Sequence, residues 1–489
     1  MEIMVTIFNI IIFINAALAV ITVFRQERDI AATWAWLLVL IFLPIVGFLI
    51  YAFFGRRLPK SKLLRLTGSA KKQVRNRINQ QKKKLGNFAE SANPNHRIVN
   101  ESQGLVKLFM NSGLVPLFSH NEIETFTEGN VFFKQLILDL ENAQESINLE
   151  FYTFYADEIG KEILSVLVKK AQAGIDVRVI YDAWGSIGTN QKFFQPLIDA
   201  GGRAFPFLHN KLNLIDMRVN FRDHHKLAII DGQYGYIGGF NIGDQYLGRK
   251  KKFGNWKDCM IRIHGEGVYG LQSRFLLDWN GTDVTSKVNP NDVIQDEKYY
   301  PKMKTNGHAI MQIVSSGPES QIERIKMGYI KLIEMAQDSI KIATPYLIPD
   351  ESVLNALKIA SFSGVNIEII TPNMPDHAFV YRATQYYARQ LTRYGVKVYA
   401  YGDGFMHSKT MVVDGKICSI GSANLDYRSF ELNFECNAFV YDQKLAQQME
   451  KIHAENVQKS VLQTEKLFKE QSRWLDFKQH FSRLLSPLL

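Results

Sequence analysis

His224-His225-Lys226-Leu227-Ala228-Ile229-Ile230-Asp231-Gly232, followed by Gly238-Gly239-Phe240-Asn241, recurs as His407-Ser408-Lys409-Thr410-Met411-Val412-Val413-Asp414-Gly415 and Gly421-Ser422-Ala423-Asn424, with the same internal spacing. With each residue type at roughly one position in twenty, four fixed positions arise by accident in 489 residues well under about one time in a hundred. A second copy in register is rarer still. The repetition points to one site assembled from both copies.

Each His-to-Asp stretch is an apolar, β-branched run ending in Asp-Gly, which reads as strand, tight turn, strand. Residues two apart on a strand share a face, so the imidazole of His224 and the ammonium of Lys226 point into the same space, as do those of His407 and Lys409. Asp231 and Asp414 stand seven residues after their His, an odd separation that turns them to the opposite face. They suit the turn and its hydrogen bonds, and another carboxylate must orient each His. His225 faces away from His224 and reads as a packing or surface residue. His209, His264, His308 and His377 carry no ligand-like spacing. Arg218 and Arg222 precede the first motif and are candidates for the pocket rim.

The repeat reaches further. Ala143-Gln144-Glu145-Ser146-Ile147 leads through an apolar strand and a helical stretch to Ala173-Gly174-Ile175-Asp176-Val177, and Ala336-Gln337-Asp338-Ser339-Ile340 leads through the same series to Ser363-Gly364-Val365-Asn366-Ile367. Strands alternating with helices imply an α/β domain built twice, each half a mostly parallel sheet with helices packed on it. A two-fold related pair would set the two motifs face to face. Polar stretches Asn87 to Gln103 and Asp283 to Asn306 divide the chain. The expected parts are an N-terminal hairpin (1–55), a basic arm and linker (56–110), a first half (111–285) and a second half (286–489).

The N-terminus carries a different signal. Ile3 to Phe24 is 22 residues without a formal charge and Ile30 to Phe54 is 25, separated only by Arg25-Gln26-Glu27-Arg28-Asp29. About 20 apolar residues cross a bilayer core, so the pair reads as a transmembrane hairpin, with Pro44 and Gly47 able to bend its second arm. Arg56 to Lys84 then holds twelve Lys or Arg and no acid, more than the whole chain's net charge of +10. By the positive-inside rule this places the rest of the chain in the cytoplasm, and it suits contact with anionic lipid. A nucleic-acid-binding arm has the same composition but no reason to follow two spans. Cys259, Cys418 and Cys436 are odd in number, lack metal spacing and read as reduced core residues. The C-terminal stretch Lys466 to Leu489 mixes Trp474, Phe477 and Phe481 with basic residues, a pattern that fits either packing on the core or an amphipathic helix on lipid.

On the paired HxKxxxxD motifs, Trp34-Ala35-Trp36-Leu37-Leu38, Phe54-Gly55-Arg56, Gly238-Gly239-Phe240-Asn241-Ile242-Gly243-Asp244 and the closing Leu484-Leu485-Ser486-Pro487-Leu488-Leu489, the chain resembles the phospholipase D superfamily and, within it, the bacterial cardiolipin synthases. One departure is Gly239, where the superfamily pattern has Ser, as at Ser422. The resemblance implies transfer of a phosphatidyl group between phosphatidylglycerol molecules through a phosphohistidine, at a bacterial cell membrane. It assigns His224 as nucleophile and His407 as acid/base, while the symmetry of the motifs leaves that order open. It also places an acid after the Asn of each motif, here Asp258 and Glu435, to orient the histidines.

The constellation suits phosphodiester chemistry. Negative charge spreads over the equatorial oxygens during in-line attack, so catalysis depends on positioning and cationic stabilisation. Lys226, Lys409, Asn241 and Asn424 are the expected clamp of donors, with Asp231, Asp414, Ser422 and the glycines Gly238 and Gly239 shaping the site. Neither metal nor cofactor is called for. The competing readings are a hydrolase with water as acceptor, a nuclease of the same superfamily and an inactive membrane scaffold. The hairpin argues against the nuclease and the two intact motifs against the scaffold.

Overall fold

Both motifs form the strand pair that their alternation predicts. In the computed structural model, which describes residues 30–51, 68–85, 94–208, 220–282 and 296–488 together with Gly55 and scattered positions between 2 and 24, Asp231 and Asp414 have φ of 53° and 52°, and the glycines after them 61° and 60°. Two successive positive φ values make a type I′ turn, the form whose twist matches a hairpin, and Gly at the second position accepts it without strain. The turns close with Gln233 N–H donating to Ile230 O and Lys416 N–H to Val413 O, both at 3.0 Å or less.

The first repeat contains β1 (Phe118–Glu128), β2 (Ser146–Phe151), β3 (Asp176–Tyr181), β4 (Arg203–Pro206), β5 (Arg222–Asp223), β6 (Lys226–Ile230), β7 (Tyr234–Gly238) and β8 (Trp256–Gly265). The second contains β9 (Ala309–Ser316), β10 (Ser339–Ala343), β11 (Leu347–Ile348), β12 (Asn366–Pro372), β13 (Lys397–Tyr401), β14 (Phe405–Met406), β15 (Thr410–Val413), β16 (Ile417–Gly421), β17 (Leu425–Asp426), β18 (Asn433–Tyr441) and β19 (Ser460–Gln463). Pairing in the first runs β4-β3-β2-β6-β7-β8-β1, parallel over β2, β3 and β4 and antiparallel thereafter. The second repeats it as β13-β12-β10-β15-β16-β18-β9, with β19 added at the edge. The sheets are joined where β1 meets β9, and again by two short exchanges, β5 with β18 and β14 with β8. This is the mixed α/β architecture built twice, but each sheet has two parallel pairings and is otherwise antiparallel, not mostly parallel as expected, because the motif hairpin and the strands after it extend the parallel strands antiparallel.

Helices Gly129–Asn142 and Glu158–Gln172 cover the first repeat through Phe132, Phe133, Leu136, Ile163 and Leu167. A second core binds the repeats together: Leu227, Ile229, Ile237 and Ile261 pack with Val412, Ile420, Ala438 and Val440. Cys259, Cys418 and Cys436 lie there, free and buried, as reduced core residues should. The polar stretch read as a separator becomes helical at Pro94 (Pro94–Glu101) and buries Ile98 and Val99 in the second repeat's core. Part of the basic arm is helix Gly68–Lys84, anchored by Ile78, by the Arg77–Glu266 ion pair at 2.9 Å and by Gln81 on Leu117. Arg56, Arg57, Lys60, Lys62 and Arg65 lie outside the described residues.

The helices before residue 61 form a unit of their own. Within Ile30 to Phe54, where Pro44 and Gly47 are expected to allow a bend, the chain forms helix Ile30–Phe42, a break at Leu43 (φ −130°, ψ 64°) and helix Pro44–Ile50. The cause is local: a proline disfavours the helical conformation in the residue before it. Among the described residues no helix is long and apolar enough to cross a membrane, and much of Ile3 to Phe24 and all of the link 25–29 lie outside them.

Candidate active site

The two short strand exchanges decide the site. β5 runs parallel to the start of β18, pairing Arg222 with Asn433 and Asp223 with Phe434, so the next residues along are His224 and Glu435. β14 runs parallel to the start of β8, pairing Phe405 with Trp256 and Met406 with Lys257, so the next are His407 and Asp258. The histidine backbones lock this register, His224 N–H on Phe434 O at 2.9 Å and His407 N–H on Lys257 O at 2.7 Å.

The acids therefore cross over. His224 Nδ1 meets Glu435 Oε1 at 2.9 Å, and His407 Nδ1 meets Asp258 Oδ2 at 2.6 Å. Each half's histidine is oriented by the other half's carboxylate. An Nδ1–H held by a carboxylate fixes the tautomer and leaves Nε2 as the reactive nitrogen. Tyr152 packs edge-on against His224 with ring centres 4.9 Å apart, and Trp256 tilts against His407 at 4.8 Å.

The motif lysines are buried beside their histidines. Lys226 Nζ donates to His224 O at 2.6 Å and sits over the Tyr152 ring at 5.2 Å, while Lys409 Nζ bonds His407 O. Lys226, Lys409, Glu435 and Asp258 are all 2 % exposed or less. Two cations against two carboxylates balance the charge, which burial demands. Burial, assisted by the other lysine, lowers Lys226 to about 7, and burial lowers Lys409 to about 8. Burial also outweighs Glu435 and holds His224 at about 4, and burial with Lys409 holds His407 at about 4. Glu435, against its own desolvation, is pulled to about 2 by His224 and Lys226. Both rings are thus neutral, and an entering phosphodiester would add a negative charge to a site that is otherwise balanced.

The remaining sequence candidates divide. Asp231 accepts from the backbone N–H of Gln144, Glu145 and Ser146 at 2.7–2.9 Å, and Asp414 from Gln337, Asp338 and Ser339 at 2.8–3.0 Å. They staple the hairpin turns to the start of β2 and β10 and do not touch the histidines, so their place is in the scaffold. Asn241 Oδ1 accepts from Thr153 N–H and its amide donates to the Tyr246 hydroxyl, both at 3.0 Å, which commits much of it to the loop. Asn424 keeps a buried Oδ1 without a partner. Ser422 Oγ donates to Glu435 Oε2. A Cβ on Gly238 would stand 2.2 Å from Cys259 O, so glycine there permits the close approach of β7 and β8. A Cβ on Gly239 would stand 1.9 Å from Asp258 Oδ1.

His225 is a packing residue, not a surface one, and its setting is ionic. It is 1 % exposed, and its Nδ1 lies 3.2 Å from Glu150 and Asp223 and 3.5 Å from Asp278, which Arg274 grips with two hydrogen bonds. Burial opposes charging it, but Glu150 and Asp223 hold the imidazole well above its ordinary value. Imidazolium and guanidinium supply the positive charge these carboxylates need, and the cluster braces the backbone at Asp223 and His224. Glu150, Asp223 and His225 are also the one trio, among the described residues, whose ligand atoms lie within 4.8 Å of one another. Sequence reading found no such cluster because strands and a helix far apart in the chain build it. Arg222 reaches Asp182 at 3.6 Å and lies 5.3 Å over Trp184, beside the site; Arg218 is outside the described residues.

The family described as "Cardiolipin synthase, PLD-like domain" matches residues 136–253 and 329–456, and "Phospholipase_D-nuclease N-terminal" matches 13–56. The chain is 46% identical to a cardiolipin synthase of Listeria innocua over 98% of each chain. It is 41% identical to one of Staphylococcus aureus over 97% of this chain and 95% of the other. Among solved structures, a phosphatidylserine synthase of Haemophilus influenzae shares the fold with a TM-score of 0.61 at 17% identity, over 79% of this chain and 100% of that one.

Proposed function

We propose that this chain, which belongs to the cardiolipin synthase family of phospholipase D-like proteins, transfers a phosphatidyl group from one phosphatidylglycerol to another. The observation that carries the reading is the pair of crossed His–carboxylate contacts with a lysine beside each. In the first step Nε2 of His224 attacks phosphorus, the bond to the glycerol oxygen breaks, and His407 gives that oxygen its proton. In the second, a hydroxyl of the acceptor lipid attacks phosphorus, its proton passes to His407, and the phosphorus–nitrogen bond breaks to free cardiolipin and neutral His224. Lys226 and Lys409 stabilise the equatorial oxygens. The entering anion raises the proton affinity of His407, low in the empty site, and so prepares it as the acid.

The setting is a bacterial cell membrane. Residues 1–55 form a hairpin of two spans and the halves 111–285 and 286–489 lie on the cytoplasmic side, next to the basic arm 56–110 and its anionic lipids. Outward-facing Trp34, Ile41 and Phe42 and the N-terminal family match support the anchor, and the break at Leu43 gives its second arm a kink. The test is to incubate the full-length protein in vesicles with phosphatidylglycerol labelled in its headgroup. Cardiolipin with an equal amount of free glycerol is expected. Phosphatidic acid without cardiolipin would make the protein a hydrolase.

A further inference from the structure

Helix Arg473–Leu484 is built inside out. Its buried positions are Gln479 and Ser482, both 0 % exposed, whereas Trp474, Phe477, Phe481 and Leu484 are 65, 56, 47 and 71 % exposed. Those four recur at helical spacing and form one stripe, with Trp474 and Phe477 stacked at 5.5 Å and Phe477 and Phe481 at 6.4 Å. A helix packed on a water-soluble body turns such a stripe inward. Here polar contacts hold the opposite face.

That hold is specific. The helix lies on Ala378–Thr392 through the Asp476–Arg389 ion pair, Gln479 on Gln385 at 3.3 Å, His480 against Tyr386 at 5.1 Å and the Arg483 guanidinium 5.2 Å from the Tyr386 ring centre. Ser472 caps its start by accepting from Leu475 N–H, and Ser486 meets the Tyr387 hydroxyl beyond its end. The helix cannot roll its aromatic stripe inward without breaking these contacts. Phe379, in the first turn of the supporting helix, is also exposed, at 46 %. Asp376, just before that turn, is among the charges acting on Lys409.

Charge identifies what covers the stripe. Arg473, Lys478 and Arg483 flank it, Lys478 Nζ lies 5.6 Å from the Trp474 ring centre, and the helix's one acid, Asp476, is already paired with Arg389. Aromatic rings with basic rims match an anionic bilayer surface, which offers acyl chains to the rings and phosphates to the cations. We propose that the Trp474, Phe477, Phe481 and Leu484 face docks on anionic lipid and holds the catalytic body against the bilayer, separately from the N-terminal hairpin. The docking belongs to this surface and stands whichever alcohol accepts the phosphatidyl group.

Full-length protein in vesicles of phosphatidylglycerol and phosphatidylcholine tests it. Subtracting the fluorescence of Trp474→Phe from that of the parent isolates Trp474. Lipid brominated high in the acyl chain should quench that signal at least about twofold, less in pure phosphatidylcholine and less at high salt. Phe477→Gln/Phe481→Gln should lose the quenching while keeping membrane attachment and turnover in phosphatidylglycerol-saturated detergent micelles, where no bilayer surface is needed. The substituted side chains face outward, and unchanged turnover shows the variant is folded; should it fail to fold, Lys478→Gln supplies the same reading through a weaker salt response. Trp474 open to aqueous iodide and untouched by brominated lipid would overturn the proposal. So would a dimer in detergent that the double substitution dissolves, since the stripe would then cover a second copy.

Discussion

Glu435 and Asp258 do the same work from opposite halves with arms of different length, and their surroundings differ accordingly. The longer Glu435 leaves space between its carboxylate and the neighbouring strand, and Ser422 fills it with a hydroxyl that donates to Oε2. Asn433 and His224 complete its coordination. The shorter Asp258 holds its carboxylate where a serine side chain would stand, so the position matching Ser422 is Gly239. Asp258 takes a bond from the backbone N–H of Cys259 at 2.8 Å instead. The departure from the repeat at Gly239 is thus compensated by the acid beside it. Two halves can diverge in residue and still present equivalent histidines.

The largest effect should come from breaking the pair itself. His407→Ala should lower cardiolipin formation by ~10²–10⁴-fold, the usual worth of a positioned acid–base group, and His224→Ala, which removes the nucleophile, by at least as much. A lipid-labelled phosphohistidine should accumulate on His224 in the His407 variant, as read by mass spectrometry of the quenched protein. Label on His407 in the His224 variant would reverse the roles of the two halves.

Next comes the compensation. Gly239→Ser should push Asp258 off His407 and cost roughly tenfold or more in rate, each factor of ten being about 1.4 kcal/mol of barrier. Adding Asp258→Glu to it rebuilds the Ser422–Glu435 arrangement in the first half and should recover part of the loss. If the double variant is slower than Gly239→Ser alone, size matching is not what ties these positions together. Ser422→Ala, which removes one bond to a charged acceptor, should cost less than either.

The smallest effect is on stability. His224 and His407 sit near 4 in the fold and near the ordinary 6.5 when unfolded, so below about 6.5 the unfolded chain binds protons that the native one refuses. Stability therefore falls as pH drops through 6.5 toward 4. Glu435, held at about 2, extends the loss into stronger acid, because its contribution is complete above its ordinary value and vanishes as it protonates. Melting temperatures in detergent should show the first slope flattened in His224→Gln/His407→Gln. An unchanged slope would mean that the rings take up protons in the fold as readily as in the unfolded chain.

Much of this arrangement was visible in the residues. Alternation over Lys226 to Ile230 and Thr410 to Val413, with Asp-Gly after each, fixed the hairpins and set Asp231 and Asp414 away from the histidines. What stayed hidden depends on contacts between distant segments. β5 and β14 are two residues long, too short for any periodic signal, yet they decide which acid meets which histidine. Glu150 lies 75 residues from His225, and nothing local marks the buried cluster they share. The segment from Pro94 reads as polar because only one side of that helix is buried, and the break at Leu43 was foreshadowed by Pro44 alone.

The crossed pairing also sets an order of events on the ribosome. Glu435 follows His224 by 211 residues, so at ~5–20 residues per second the first motif waits about 10–40 s for its partner acid. Asp258, although made early, has no histidine to orient until His407 appears. A half-synthesised chain at the membrane thus carries a histidine and a lysine with no working pair, and a truncated product that ends before Glu435 cannot attack the surrounding phospholipid. The interlock turns chemistry on only when β18 of the second sheet is in place.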